Sequence, residues 1–132
     1  MTQEKNNTLE KCHCGSQKPF EDCCQPLISG KEKAPTAEAL MRSRYSAYCV
    51  QDADYLIATT HASVRKDHDK KETLAFASEN HWVKLEIVTA SATIVEFKAY
   101  YLNSKLAPMV HHEKSAFKKE GENWYYVDGE WY

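Results

Sequence analysis

The sequence predicts an α+β fold in which helices pack on one face of a curved antiparallel sheet. Residues 36–79 contain helix caps and good helix formers, whereas apolar residues from Trp82 onward alternate as strands require. The first 35 residues differ from both stretches, because they are rich in cysteine, glycine and proline and poor in large apolar side chains. We therefore expect two regions, 1–35 and 36–132, with the main hydrophobic core in the second.

Three helices are predicted at the start of the second region. Thr36 is a suitable N-cap for a helix over residues 36–50, and Asp52 caps a second, shorter helix. Residues 70–79 form the third helix, and the polar stretch 61–69 before it is expected to be a loop. The helices thus precede the strands in the chain.

Four strands follow, with the sequences VKLEIV, IVEFKAYYL, VHHEKSAFK and NWYYVDG. Short turn-like segments separate them, which favours an antiparallel meander with the helices on one face. Alternation places Val95, Phe97, Ala99 and Tyr101 on the inner face of the second strand. On the third strand the same rule places Glu113 with the apolar Phe117, so a carboxylate is predicted inside the sheet.

The overall charge excludes some classes of partner. A formal net charge of -2 and a pI of about 6.3 leave no broad basic surface for nucleic acid or anionic membranes. The polar N-terminal stretch and the lack of a long apolar run predict a cytoplasmic protein without a membrane span.

Four cysteines near the N-terminus predict a structural zinc site: Cys12, Cys14, Cys23 and Cys24. In a reducing compartment such clustered thiols are better explained by metal than by disulfides, and four thiolates satisfy tetrahedral zinc. Gly15 allows the tight turn between the pairs. Because the protein would supply all four ligands, no position remains for a catalytic water. The alternatives are redox-active thiols at Cys23 and Cys24, or cysteines without a role.

The segment CHCGSQKPFEDCC resembles the SEC-C motif, the zinc-binding segment known from the tail of the SecA translocation motor. The segments PTAEALMRSRYSAY, DADYLIATTH and WYYVDG are similar to those of bacterial YchJ-like proteins, so the resemblance spans nearly the whole chain. It implies a cystatin-like cone, the nuclear-transport-factor-two-like fold, for residues 36–132. It implies no activity, but the motif's role in the motor suggests a protein or ribosomal partner by analogy.

Arg44 lies at the centre of the apolar arc of the first predicted helix. A buried guanidinium stays charged and needs partners, and the interior carboxylate of Glu113 is the best one in the sequence. We therefore expect these two side chains to meet inside the cone. The same projection places three polar residues of the helix toward solvent: Arg42, Ser43 and Ser46.

Two interpretations of this arginine stay open. The first is a structural ion pair, and the second is a small-ligand pocket inside the cone. The candidate pocket residues are Arg44, Tyr45, Trp82, His111, Glu113 and Tyr126. His111 and His112 point to opposite faces of a strand and do not form one site, so no catalytic triad is assigned.

Three functions remain for the chain as a whole. We favour a nonenzymatic zinc-binding accessory protein, whose cysteine module docks on a macromolecule and whose cone is a scaffold or ligand pocket. The second is an isomerase, hydratase or hydrolase with Glu113 as general acid or base and Arg44 as the anion holder. The third is a redox or metal-buffering protein that uses its thiols.

Overall fold

The structure is a computed structural model that describes residues 11–132. The first ten residues of the predicted region 1–35 lie outside the described range. The helices are α1 (Gln25–Ile28), α2 (Ala37–Cys49), α3 (Ala53–Ala58) and α4 (Lys70–Glu79). The strands are β1 (His81–Ala90), β2 (Ile94–Leu102), β3 (Pro108–Glu120) and β4 (Asn123–Trp131). Two 3₁₀ turns span Phe20–Asp22 and Arg65–Asp67.

Side-chain caps begin the three longer helices, as the sequence predicts for the first two. The side chains of Thr36, Asp52 and Asp69 each accept a hydrogen bond from the backbone N–H three residues later, at 2.9 to 3.0 Å. Each cap satisfies a donor that the first helical turn leaves free. The predicted loop over 61–69 is confirmed apart from its short 3₁₀ turn.

The strands form one antiparallel sheet in the order β1-β2-β3-β4, so the predicted meander and the α+β class are confirmed. Register irregularities interrupt β1 in two places and the β3–β4 pairing once, between Ala116 and Phe117. Such bulges bend and twist a strand, and they curve this sheet around the helices. Phe97 lies opposite Glu113, and Ser115 lies opposite Gly129.

Helix α2 is buried on two sides, whereas the sequence predicts one. Its apolar residues face the sheet, but Ser43 and Ser46 are also fully buried, so the prediction that they face solvent is wrong. The Ser43 hydroxyl lies 2.7 Å from the hydroxyl of Tyr55 in α3, and the Ser46 hydroxyl lies 3.5 Å from the sulfur of Cys12. Helix α3 and the cysteine segment therefore cover the face that a single helix would expose.

The polypeptide after α3 fixes β4 in place. The Tyr126 N–H donates to the carbonyl of Thr59, and the His61 N–H donates to the carbonyl of Tyr126, both at 2.8 Å. These two bonds add a short parallel bridge to the sheet, which positions Tyr126 beneath α2.

Within the described range, every helix is too short or too polar to cross a lipid bilayer.

Candidate functional site

The four cysteine sulfurs lie within 4.8 Å of one another and form a group that can hold a metal ion. The sulfur of Cys23 lies 3.7 Å from that of Cys14 and 3.9 Å from that of Cys24. A tetrahedral ion with bonds of about 2.3 Å to sulfur requires sulfurs about 3.8 Å apart. The spacing of the sulfurs thus fits a four-sulfur metal site.

A compact turn brings the two cysteine pairs together. The N–H of Cys12 donates to the carbonyl of Lys18 at 2.7 Å, and the N–H of Gly15 donates to the carbonyl of Cys12 at 3.2 Å. Gly15 has a φ of +85°, a conformation that side-chain-bearing residues adopt at a cost. The predicted use of Gly15 in this turn is confirmed. The 3₁₀ turn over Phe20–Asp22 then returns the chain to Cys23.

Three residues that the sequence analysis did not assign to the cysteine cluster support it. The hydroxyl of Ser16 lies 3.0 Å from the sulfur of Cys23, and Ser46 approaches Cys12 from α2. Arg42, predicted to face solvent, is half-buried and donates to the carbonyl of Cys14 at 2.7 Å. Its positive charge lies beside sulfurs that are negative when they bind metal. Only the packing of the cysteine segment against α2 reveals these contacts.

The thiols of the cluster differ in the direction of their pKa shifts. Hydrogen bonds from the thiols of Cys12 and Cys24 hold the pKa of Cys14 below its usual value. Hydrogen bonds with Cys12 and Cys14, together with burial, raise the pKa of the Cys24 thiol. Burial raises the pKa of Cys49, which lies outside the cluster, to about 12. Cys49 is therefore a neutral thiol at pH 7 and a poor nucleophile.

A cavity of about 310 Å³ lies on the other side of α2, between this helix, α4 and the inner face of the sheet. Its volume falls at the lower end of the range for small-molecule sites. All six candidate pocket residues from the sequence line it: Arg44, Tyr45, Trp82, His111, Glu113 and Tyr126. The sequence did not assign the other eleven lining residues to the pocket, among them Tyr48, His68, Phe76 and Trp131. That a ligand binds there stays a prediction.

Aromatic rings form the apolar wall of this cavity. The ring of Trp82 packs against Phe76 at 5.5 Å, Tyr101 at 5.0 Å and Tyr45 at 6.1 Å between centroids. Its indole N–H donates to the carbonyl of Ala77 at 3.0 Å, which fixes the ring without using a polar group of the cavity. The wall is thus rigid and largely apolar.

Glu113 is buried in the cavity floor, and both of its oxygens are occupied. Oε1 lies 2.6 Å from Nε2 of His111, while Oε2 accepts from Ser115 at 2.7 Å and from Tyr126 at 3.1 Å. Burial alone would raise the pKa of Glu113, but the bonds from His111 and Ser115 hold it below its usual value. The carboxylate is therefore ionised at pH 7 and acts as an acceptor.

The expected direct pair between Arg44 and Glu113 is not formed. Among the ion pairs of residues 11–132 this one does not occur, and Arg44 instead donates from Nη1 to the carbonyl of Leu56 and the hydroxyl of Thr59. The guanidinium stacks over the ring of Tyr126 with 4.9 Å to its centroid. Tyr126 thus stands between the two charges, and the partners of Arg44 come from the C-terminal end of α3, as the carbonyl of Leu56 and the hydroxyl of the capping residue Thr59.

Gly129 is a site residue that the sequence analysis missed. A Cβ atom at this position would overlap Oε2 of Glu113 and lie 2.8 Å from the hydroxyl of Tyr126. The missing side chain lets the carboxylate lie against the β4 backbone. A glycine inside a strand is the sequence signal for such a close approach.

His111 and His112 point to opposite faces, as the alternation predicts. His111 belongs to the cavity, whereas Nε2 of His112 pairs with Glu96 at 2.8 Å on the outer face. His13, between two of the cysteines, is exposed.

Comparison with known proteins agrees with this architecture. A family model described as "YchJ, middle NTF2-like domain" matches residues 36–129. The chain belongs to the YchJ family. A UPF0225 protein of Geobacter sulfurreducens is 40% identical over 125 residues, covering 89% of this chain and 77% of the relative. The UPF0225 protein YchJ of Shigella dysenteriae is 38% identical, covering 89% of this chain and 81% of the relative.

Two solved structures are similar to this YchJ family member along most of its length. A SEC-C motif containing protein from Rhodopseudomonas palustris superposes with a TM-score of 0.84 at 36% identity, covering 92% of this chain and 98% of the other. A SEC-C motif containing protein from Psychrobacter arcticus gives 0.76 at 32% identity, covering 93% and 83%. The sequence resemblance to SEC-C and YchJ-like proteins is thus confirmed.

Proposed function

We propose that the chain is a zinc-stabilised protein that binds a small molecule in the cavity of its NTF2-like domain. The cavity carries this proposal, because it combines an aromatic wall with polar groups that converge from α2 and from strands β3 and β4. Apolar pockets with a few placed polar groups are the usual form of small-molecule sites.

Zinc has a structural role in this proposal. Cys12, Cys14 and Cys24 are buried against α2 and β1, and four sulfurs leave no open position on a tetrahedral ion. Metal analysis and thiol counting on full-length protein test the identity of the ion. We expect about one zinc per chain and four thiols that react only after chelation. Substoichiometric zinc, or reversible oxidation of Cys23 and Cys24 in metal-loaded protein, would instead support the redox or metal-buffering hypothesis.

Binding in the cavity can be tested with three naphthalene derivatives of similar size: 2-naphthoate, 2-naphthamide and 2-naphthylmethylammonium. We expect at least one to shift the amide NMR signals of cavity residues in a saturable manner. A bulky substitution at the mouth, Thr73→Trp, should abolish the shifts, whereas Ser78→Trp on the same helix should preserve them. Thr73 lines the cavity, and Ser78 is exposed outside its lining. Failure of all three molecules to bind would contradict the proposal.

A second candidate function, proton-transfer catalysis, is favoured by the contact between His111 and Glu113. Because Glu113 is ionised and already accepts three hydrogen bonds, it suits the orientation of an imidazole better than the role of acid or base. The proton on Nε2 of His111 would face Glu113, leaving Nδ1 as the base. The enzyme hypothesis thus moves its catalytic group from Glu113 to His111.

Deuterium exchange at the α-carbon of 2-tetralone, a ketone with a similar ring system, tests this catalysis. We expect a faster exchange with wild type than with buffer, and a loss of this effect in His111→Gln. Equal exchange by both proteins would eliminate the proton-transfer function but leave the binding function intact.

Docking of the cysteine module on a protein or ribosomal surface, in the cytoplasm, stays a separate proposal. His13, Gln17 and Lys18 are exposed on the module, so they are available for contact. Substitution of all three by alanine leaves the four sulfurs in place. It should abolish the capture of a partner that the wild-type protein binds. A captured partner that the triple variant retains would contradict docking through this face.

A further inference from the structure

The polar groups of the cavity differ in how far the protein already satisfies them. Glu113 has no free oxygen, since three protein donors occupy it. A carboxylate has about four acceptor sites, so about one site, on Oε1, is left for a ligand donor. The acceptor that sequence reasoning places at the centre of the pocket is therefore poorly suited to bind a ligand.

Arg44 has unused donors. Both of its hydrogen bonds come from Nη1, to Leu56 and Thr59, which leaves the N–H groups on Nε and Nη2 without protein acceptors in residues 11–132. Among the described residues, Trp124 Nε1 is the one side-chain nitrogen or oxygen that is inaccessible to solvent and has no hydrogen-bond partner. The free groups of Arg44 are thus accessible, and the space beside this buried residue is the cavity.

The hydroxyl of Tyr48 is a second free donor. It makes no hydrogen bond to the described part of the chain, and it remains accessible to solvent. Tyr48 lines the cavity one helical turn after Arg44. Burial raises the pKa of Tyr48, and the charges of Arg44 and Glu113 act on the same group. The hydroxyl therefore keeps its proton and lies near both charged residues.

We infer that the cavity takes a molecule with an apolar, ring-sized body and a carboxylate or similar anionic acceptor bound by Arg44 and Tyr48. This inference rests on the proposed function, since it names the ligand class of the same cavity. The free donors are matched by acceptors on the ligand, and a guanidinium binds a carboxylate through two parallel bonds. The aromatic wall formed by Trp82 and its neighbours covers the body of the ligand.

Two carboxylates at the mouth of the cavity would favour a cationic ligand instead of an anionic one. Asp69 and Glu72 line the rim, but both are exposed, so water and salt screen them. Asp69 also uses Oδ2 to cap α4. Arg44 is buried and is the one arginine or lysine among the lining residues. Glu113 is buried as well, but three protein donors already bond to its carboxylate, whereas Nε and Nη2 of Arg44 have no acceptor among the described residues. Arg44 therefore favours an anionic group inside the cavity, where screening is weakest.

The dissociation constants of 2-naphthoate, 2-naphthamide and 2-naphthylmethylammonium for the zinc-loaded full chain test this ligand class. We expect 2-naphthoate to bind about tenfold or more tightly than the ammonium compound, with the amide between them, because charge-assisted hydrogen bonds are the stronger ones. Equal or tighter binding of 2-naphthylmethylammonium would overturn the inference and leave the proposed binding function standing. If none of the three binds, the proposed function itself fails.

Tyr48→Phe is the sharpest variant, because it removes a hydroxyl that bonds to no described protein group. We expect it to weaken 2-naphthoate about tenfold and to leave the ammonium compound unchanged. Tyr100→Phe is the matched control, since the Tyr100 hydroxyl donates to Glu86 away from the cavity. Arg44→Met should remove the preference for the carboxylate. An unchanged affinity for 2-naphthoate in both Tyr48→Phe and Arg44→Met would overturn the assignment of the two donors.

Discussion

Helix α2 separates two polar regions that differ in how completely the protein provides partners for their hydrogen-bonding and metal-binding groups. On one side, Ser46 and Arg42 contact the cysteine cluster, where four sulfurs face a common centre. On the other side, Arg44 and Tyr48 line a cavity of about 310 Å³, and both have N–H or O–H donors without a protein acceptor among the described residues. A closed set of ligands stabilises a fold, whereas unused donors in an open cavity indicate recognition of a further molecule. We therefore propose that the cysteine side has a structural role and that the cavity side binds a ligand.

Removal of the metal should have the largest effect if this division holds. We expect chelation or Cys24→Ser to abolish the cooperative thermal transition, a loss of about 5 kcal/mol or more of unfolding free energy. Without the ion, the buried sulfurs no longer hold the cysteine segment on α2. Cys49→Ser is the matched control with the same chemical change outside the cluster. Near-ultraviolet circular dichroism measures the transition. An unchanged thermal transition after complete metal removal would contradict a structural role for the metal site.

Gly129→Ala should have the next largest effect, on the cavity side. The added Cβ overlaps the carboxylate of Glu113 and crowds Tyr126, so we expect a loss of about 2 to 3 kcal/mol. Denaturant unfolding of zinc-loaded protein measures it. Glu130→Ala, an exposed change on the same strand, should stay within about 0.5 kcal/mol of wild type. Similar stabilities for the two variants would mean that the Glu113 network is not constrained by β4.

The pH dependence of the unfolding free energy tests whether Glu113 in the cavity floor is ionised in the folded protein. The pKa of Glu113 is lower in the folded protein than its usual value of 4.5, so below that value the unfolded chain takes up the proton first. Stability from this group is therefore present above pH 4.5 and is lost as the pH falls through the folded pKa. Because zinc release also acts in acid, the comparison is with Glu113→Gln. Wild type should lose stability more steeply than the variant, and parallel curves would show that Glu113 is not ionised in the fold.

Ser46→Ala should have the smallest effect. It removes a hydroxyl 3.5 Å from the sulfur of Cys12, a long contact, and we expect a loss of about 1 kcal/mol or less with zinc still bound. Chelator competition monitors zinc affinity. A large fall in zinc affinity would place Ser46 in the metal site itself and weaken the separation between the two sides of α2.

Local patterns in the sequence predict most of this architecture. The caps at Thr36 and Asp52, the alternation on β3 and the cysteine spacing each arise from residues close in the chain. The direction of Arg44 also follows from helix periodicity. Its partners do not, because Leu56 lies in α3 and Thr59 directly follows it, and no short pattern encodes the packing angle of that helix.

The errors have a common physical origin. Ser43 and Ser46 are expected at the surface because a helix on a sheet exposes its polar side, and here a second layer covers that side. Gly129 affects the site through an atom that it lacks. Both features depend on which segments pack together rather than on periodicity within one element.

X-ray absorption at the zinc edge of the purified full-length protein tests most directly whether the cysteine region is the closed one. We expect four sulfur neighbours at about 2.3 Å and no lighter atom bound to the ion. A bound nitrogen or oxygen, or fewer than four sulfurs, would contradict a closed four-sulfur site on the side of α2 to which we assign a structural role.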